Sequence, residues 1–116
     1  MSNLKNIPIF PLKSIILPGG QFPLRIFERR YLDMIKNSLK NDSGFVIALT
    51  KKDADYISSV HDYACYVEIV DWSQLDGGLL GITVEGKKIV MLSNCELNEG
   101  NLLTGHAKVI ESSIDH

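Results

Sequence analysis

Apolar residues crowd the first quarter of the chain in a pattern that a helix cannot accommodate. Ile7, Ile9, Phe10, Leu12, Ile15, Ile16, Leu17, Phe22, Leu24, Ile26 and Phe27 are interleaved with Pro8, Pro11, Pro18 and Pro23, which are all the prolines of the chain. Each proline fixes φ, removes a backbone donor and pushes the residue before it towards an extended conformation. The segment is therefore expected to be buried as short strands and turns, with no helix before about Ile26.

The pattern changes after Phe27. Residues 28–40 (ERRYLDMIKNSLK) lack Gly and Pro, and Tyr31, Leu32, Ile35 and Leu39 recur at three- and four-residue steps. This spacing predicts one amphipathic helix with those four residues on its buried stripe. Glu28 near its start and Lys36 and Lys40 near its end suit the helix dipole, and Asn41-Asp42-Ser43-Gly44 supplies a stop.

Beyond the helix the signals are those of strands. Residues 44–50 (GFVIALT) form a short apolar run of strand length, as expected for a strand buried on both faces. Residues 64–72 alternate more loosely. Residues 78–84 and 88–92 read as two strands joined by a hairpin turn at Glu85-Gly86-Lys87, and residues 102–110 as a last strand after the turn-rich Asn98-Glu99-Gly100-Asn101. Residues 51–62 (KKDADYISSVHD) are expected to be a loop with at most one helical turn. Strands of this length with one principal helix predict a mainly β, α+β fold: a compact barrel or sandwich of about six or seven mostly antiparallel strands, the helix packed over one opening.

Size and charge narrow the function classes. A chain of 116 residues suits a single domain with one core. No stretch approaches the ~18 consecutive apolar residues of a membrane span, and the N-terminus lacks a charged-then-apolar leader, so a soluble cytoplasmic protein is expected. The net charge of −2 is unevenly spread: residues 1–52 hold nine Lys or Arg against three acids, residues 53–116 three against eleven. Arg25, Arg29, Arg30, Lys36 and Lys40 are candidates for a basic patch facing an acidic partner, a second subunit or RNA.

Catalytic chemistry finds little support. His61, His106 and His116 sit in no recognisable arrangement with Ser14, Ser93 or either cysteine, and Gly19-Gly20 and Gly77-Gly78 do not form a phosphate loop. Cys65 and Cys95 read as small buried hydrophobes. His61, Cys65, Cys95 and His106 are chemically acceptable zinc ligands, but no C-x-x-C or H-x-x-x-H pair preorganises two of them, and no metal or other cofactor is expected.

The run P-I-F-P-L, then I-L-P-G-G, then P-L-R-I-F-E-R-R-Y-L-D-M-I resembles the opening of the Lon protease N-terminal domain. Downstream, Y-V-E-I-V-D-W at Tyr66 to Trp72 and the glycine-rich Leu75 to Gly86 look most similar to the bacterial stand-alone proteins built on that domain. Ala64-Cys65 and Ile89-Val90 depart from the pattern, standing where a Gly-Thr-like pair and an Arg-Phe pair are usual. The resemblance implies a PUA-like pseudo-barrel, here a single domain over residues 1–116 without the helical section that follows in longer family members. It also implies a non-catalytic module that binds peptide or protein.

On that reading the partners are unfolded or apolar polypeptide segments, or a specific protein, captured in a groove with pairing at a strand edge. A homo-oligomer is compatible with it. Phe22, Phe27 and Trp72 are the apolar contacts expected to serve, with Arg25 for an acidic or carbonyl group. Pro18, Gly19, Glu28, Arg30 and Tyr31, the motif positions, are expected to be structural, with Arg30 tying the helix to a sheet end and Tyr31 packing it. The alternative is an RNA-binding module of the PUA kind. Overall acidity and the scarcity of basic residues after Lys52 make nucleic acid the weaker expectation.

Overall fold

The proline-rich opening runs as two strands separated by a turn, and the first helix begins only after them. A computed structural model describes residues 3–51 and 59–112. In chain order its elements are β1 (Asn3–Leu12), β2 (Gln21–Ile26), α1 (Arg29–Asn41), β3 (Phe45–Thr50), β4 (Val60–Gln74), β5 (Leu80–Leu97) and β6 (Leu103–Ser112). A 3-10 turn at Asp76–Gly78 joins β4 to β5.

The strands form one mixed sheet in the order β2-β5-β4-β3-β1-β6, and β5 pairs a second time with β6. This extra pairing closes β5, β4, β3, β1 and β6 into a ring and leaves β2 attached to β5 alone. β1 and β3 are parallel, and every other pair is antiparallel. Parallel neighbours cannot be joined by a tight hairpin. The chain between them carries β2 and α1.

Two apolar cores result. Ile7, Ile9, Val46, Ala48, Ala64, Val90, Leu92, Leu103 and Ala107 fill the ring, one or more from each of its strands. Tyr31, Met34 and Ile35 of α1 pack with Leu24, Ile26, Phe45, Ile47, Cys65, Val67, Ile82 and Val84 in a second core. β3 serves both, since successive side chains point to opposite faces of a strand. Phe45 to Ala48 are accordingly all buried, which accounts for the unbroken apolar run in that segment.

The helix therefore covers an outer wall of the ring, where an opening had been expected. Its buried face is Tyr31, Met34, Ile35 and Ser38, while Leu39 is exposed and Leu32 only partly buried. The stripe is rotated from the expected one because Met34 and Ser38 complete the three- and four-residue steps about Tyr31 and Ile35. Glu28 stands at the N-cap position without capping the free amides, its carboxylate being held by Arg30. Asp42 ends the helix in the left-handed conformation, φ 51°.

The expected hairpin at Glu85-Gly86-Lys87 is absent, and β5 runs through it as a single strand of 18 residues. Opposite β4, Tyr66 faces Lys88 and Val67 faces Gly86, so Lys87 is an extra residue in a β-bulge. The bulge exchanges the two faces of the strand. Before it, Leu80, Ile82 and Val84 point into the helix core; after it, Val90 and Leu92 point into the ring.

β4 is longer than expected and begins at Val60, which places His61 and Asp62 in a strand. The rest of that expected loop, residues 52–58, lies outside the described residues. Cys65 is buried as expected, but Cys95 is exposed because a second irregularity, between Ser93 and Glu96, lifts it out of the regular register with β6.

Candidate functional site

The motif residues at the start of α1 form an anchor between the helix and the far end of the sheet. Arg30 donates through Nη2 to Glu28 Oε1 at 2.6 Å and through Nη1 to the Asn101 carbonyl at 3.2 Å. Its guanidinium lies 5.1 Å from the centre of the Tyr31 ring. Tyr31 is buried edge-to-face against Phe10, ring centres 4.6 Å apart, and burial pushes its phenol above the usual range, opposed by the Arg30 charge. A planar fork held at two points fixes helix orientation in a way a lysine would not.

Pro18 and Gly19 shape the second anchor. They occupy the centre of a turn in which the Gly20 amide donates to the Leu17 carbonyl at 2.9 Å, with Gly19 at φ 88°. A proline followed by a residue of positive φ is the signature of a type II turn. This turn is stitched to β5: Gly19 N–H donates to the Gly86 carbonyl and Gly86 N–H to the Gly20 carbonyl, each at 2.9 Å.

Three clefts follow, the second sharing a lining residue with each of the other two. The first, of about 470 Å³, is lined by Ile15, Leu17, Leu49, Tyr63 and Ile89 above the buried Ile16, Ile47 and Cys65. The second, about 450 Å³, has Phe10, Leu12, Ile26, Phe27 and Tyr31 as its apolar walls and Lys13 and Arg25 among its polar ones. Ser14 lines both. The third, about 470 Å³, lies across β2, β5 and β4 and brings Arg25, Asp71, Trp72 and Ser73 around Gly81. Volumes of this order suit a few side chains of a ligand.

Arg25 thus borders two clefts, with Phe27 in one and Trp72 in the other. Phe22 does not join them. It packs partly buried against the helix core, on the same face of β2 as the buried Leu24 and Ile26. Ile15, Leu17 and Tyr63 were not singled out from the sequence. The signal available was the triplet Ile15-Ile16-Leu17 ahead of a turn, of which only Ile16 is buried.

The two strand edges beside these clefts are interrupted. β2 carries Pro23 at its middle, and β4 beyond its pairing with β3 carries an unmatched residue, Val70, with Glu68 and Asp71 exposed beside it. Prolines, bulges and charges on an edge discourage the addition of another strand.

Among the described residues no group of three His, Cys, Asp or Glu side chains comes together as metal ligands would. His61 and Cys65 line the first cleft, whereas Cys95 and His106 belong to the β5–β6 side. Burial pushes the Cys65 thiol up, and partial desolvation of the sulfur with the Asp62 charge nearby raises that of the more exposed Cys95, away from the reactive thiolate in both. Among the described residues no helix is long and apolar enough to cross a membrane.

Comparison with known proteins places this arrangement. The sequence profile of the ATP-dependent protease La (LON) substrate-binding domain matches residues 6–115. The crystal structure of a Lon N-terminal domain protein from Xanthomonas campestris is similar with a TM-score of 0.83 and 27% identity, over 97% of this chain and 64% of that one. The N-terminal domain of the Mycobacterium avium complex Lon protease has the same fold, with a TM-score of 0.65 and 19% identity over 97% of this chain and 57% of that one. The chain spans less than two thirds of the length of either structure. No curated protein sequence matches it. Across nearly its whole length, the chain belongs to the LON substrate-binding domain family.

Proposed function

We propose that the chain is a non-catalytic binding module that captures short apolar stretches of unfolded polypeptide along the three clefts. One observation carries this reading. Among the described residues, the large apolar side chains that are more than half exposed are Phe27 at 67%, Ile15 at 66%, Leu17 at 62%, Tyr63 at 61% and Trp72 at 51%, and all five line these clefts. Exposed apolar side chains set into clefts are a usual mark of a binding surface. Family membership supports the same class of partner.

The mode of capture is side-chain docking, with little backbone pairing, because Pro23 and the Val70 bulge interrupt the edges beside the clefts. Ordering a disordered segment opposes binding, so affinities in the micromolar range or weaker are expected of so small a surface. No observation favours the RNA reading, since the first two clefts have apolar walls and the three together hold few cations.

Trp72 is the sole tryptophan and half-exposed, so it reports on the site directly. Titration with an unfolded polypeptide that lacks tryptophan should shift its emission to the blue and saturate. An emission spectrum unchanged at millimolar polypeptide, together with unaltered fluorescence anisotropy of the labelled polypeptide, would refute the reading.

A further inference from the structure

Among the described residues, the second cleft joins apolar walls to a net positive charge. Glu28 and Arg30 neutralise each other across 2.6 Å, which leaves Lys13 and Arg25 as the cleft's net charge. Among the described residues neither meets a carboxylate within ion-pair distance. Both are exposed, and the exposed Phe27 lines the same cleft.

Each flanking cleft adds an acidic side chain that the second cleft's cation pair lacks. Asp62 lines the one beyond Ser14, and Asp71 the one beyond Arg25. We propose that this surface selects polypeptide segments in which one or two acidic residues are flanked on both sides by apolar ones, the acid resting at Lys13 and Arg25. This rests on the polypeptide-binding reading given above and adds a preference to it.

Charge complementarity decides the class of partner. A carboxylate over two cations with apolar neighbours in the clefts is matched at every point. A nucleic-acid strand is not, because it carries a negative charge at each successive nucleotide and its flanking phosphates would meet Asp62 and Asp71. Partly exposed ion pairs are individually weak, so the preference should be modest and salt-sensitive.

The test uses three labelled peptides of identical apolar content with a central pair of Asp, Asn or Lys residues, followed by fluorescence anisotropy at low salt. The acidic peptide should bind about tenfold more tightly than the neutral one, and the basic one more weakly still. Lys13→Gln with Arg25→Gln should remove that difference, so that the acidic and neutral peptides bind the variant alike. Circular dichroism confirms that the variant is folded, and each single variant should remove part of the difference.

Equal binding of acidic and neutral peptides would overturn the charge preference and leave the polypeptide reading standing. Failure of all three peptides to bind would overturn both. An oligouridylate that displaced the acidic peptide with the same dependence on Lys13 and Arg25 would reassign the surface to polyanions. Self-association on sedimentation that Arg25→Gln abolished would reassign it to a second copy of the chain.

Discussion

A β-carbon added to Gly86 would lie 2.3 Å from the carbonyl oxygen of Leu17. Contacts below 3.0 Å do not occur at real β-carbons, and here the obstacle is backbone, which cannot swing aside. Gly86 is thus fixed by a turn far from it in sequence, and that turn carries Ile15 and Leu17 to the first cleft. Gly86→Ala should cost about 1–3 kcal/mol in urea unfolding by overpacking this contact. It should also speed hydrogen exchange at the Gly19 and Gly86 amides, which are paired across it. Unchanged exchange at both amides would show that the turn is not held in this way.

The helix face is tested by two leucine-sized deletions. Ile35 is fully buried between α1 and the sheet, so Ile35→Ala should destabilise by about 2–4 kcal/mol. Leu39→Ala, on the exposed side, should cost less than about 1 kcal/mol. Equal losses in denaturant unfolding would place the stripe where the bare spacing had suggested.

Glu85 gives the fold a dependence on pH. The Gln21 side-chain amide donates to its carboxylate at 3.0 Å and Lys87 pairs with it at 3.2 Å, and together they hold its pKa below the usual carboxylate range. A lowered pKa contributes stability above the unfolded value and loses it as pH falls through the folded one. Glu85→Gln should therefore unfold at a lower temperature than the parent near pH 7. The gap should narrow as the solution is taken below about pH 4. A gap that widened in acid would contradict the assignment.

Much of this architecture is legible in the chain because local chemistry and the fold agree. The prolines exclude a helix before Phe27, and the run from Phe45 to Ala48 announces a strand buried on both sides. Other features depend on what lies across from a residue. Glu85-Gly86-Lys87 reads equally well as a turn or a bulge, and only the partner strand β4 and the Leu17 turn decide between them. Leu39 fits a helical stripe by spacing, yet the sheet presents its surface to Met34 and Ser38.

The candidate site shows the same division. Arg25, Phe27 and Trp72 belong to residue types that stand out when exposed, and the fold sets them beside common clefts. Phe22 is separated from Arg25 by strand alternation, which the buried Leu24 and Ile26 already implied. Ile15, Leu17 and Tyr63 join the site because the turn at Pro18-Gly19 folds its loop towards β4, a relationship that no local pattern carries.

Phe22 and Phe27 should consequently behave in opposite ways. Phe22→Ala removes core packing and should lower the unfolding midpoint, with polypeptide affinity preserved in the folded fraction. Phe27→Ala should leave stability nearly unchanged and weaken polypeptide binding severalfold. Paired thermal unfolding and anisotropy titrations separate the two effects; loss of affinity on Phe22→Ala alone would move the site into β2.

The central claim, that polypeptide is held along the clefts on either side of Arg25, is tested most directly by mapping amide and methyl chemical shifts while an unfolded polypeptide is titrated to millimolar concentration. Saturable changes should gather at Ile15, Leu17, Arg25, Phe27, Tyr63 and Trp72 and leave the far strand β6 untouched. Changes confined to β6 and the ring, or no changes at all, would contradict the account.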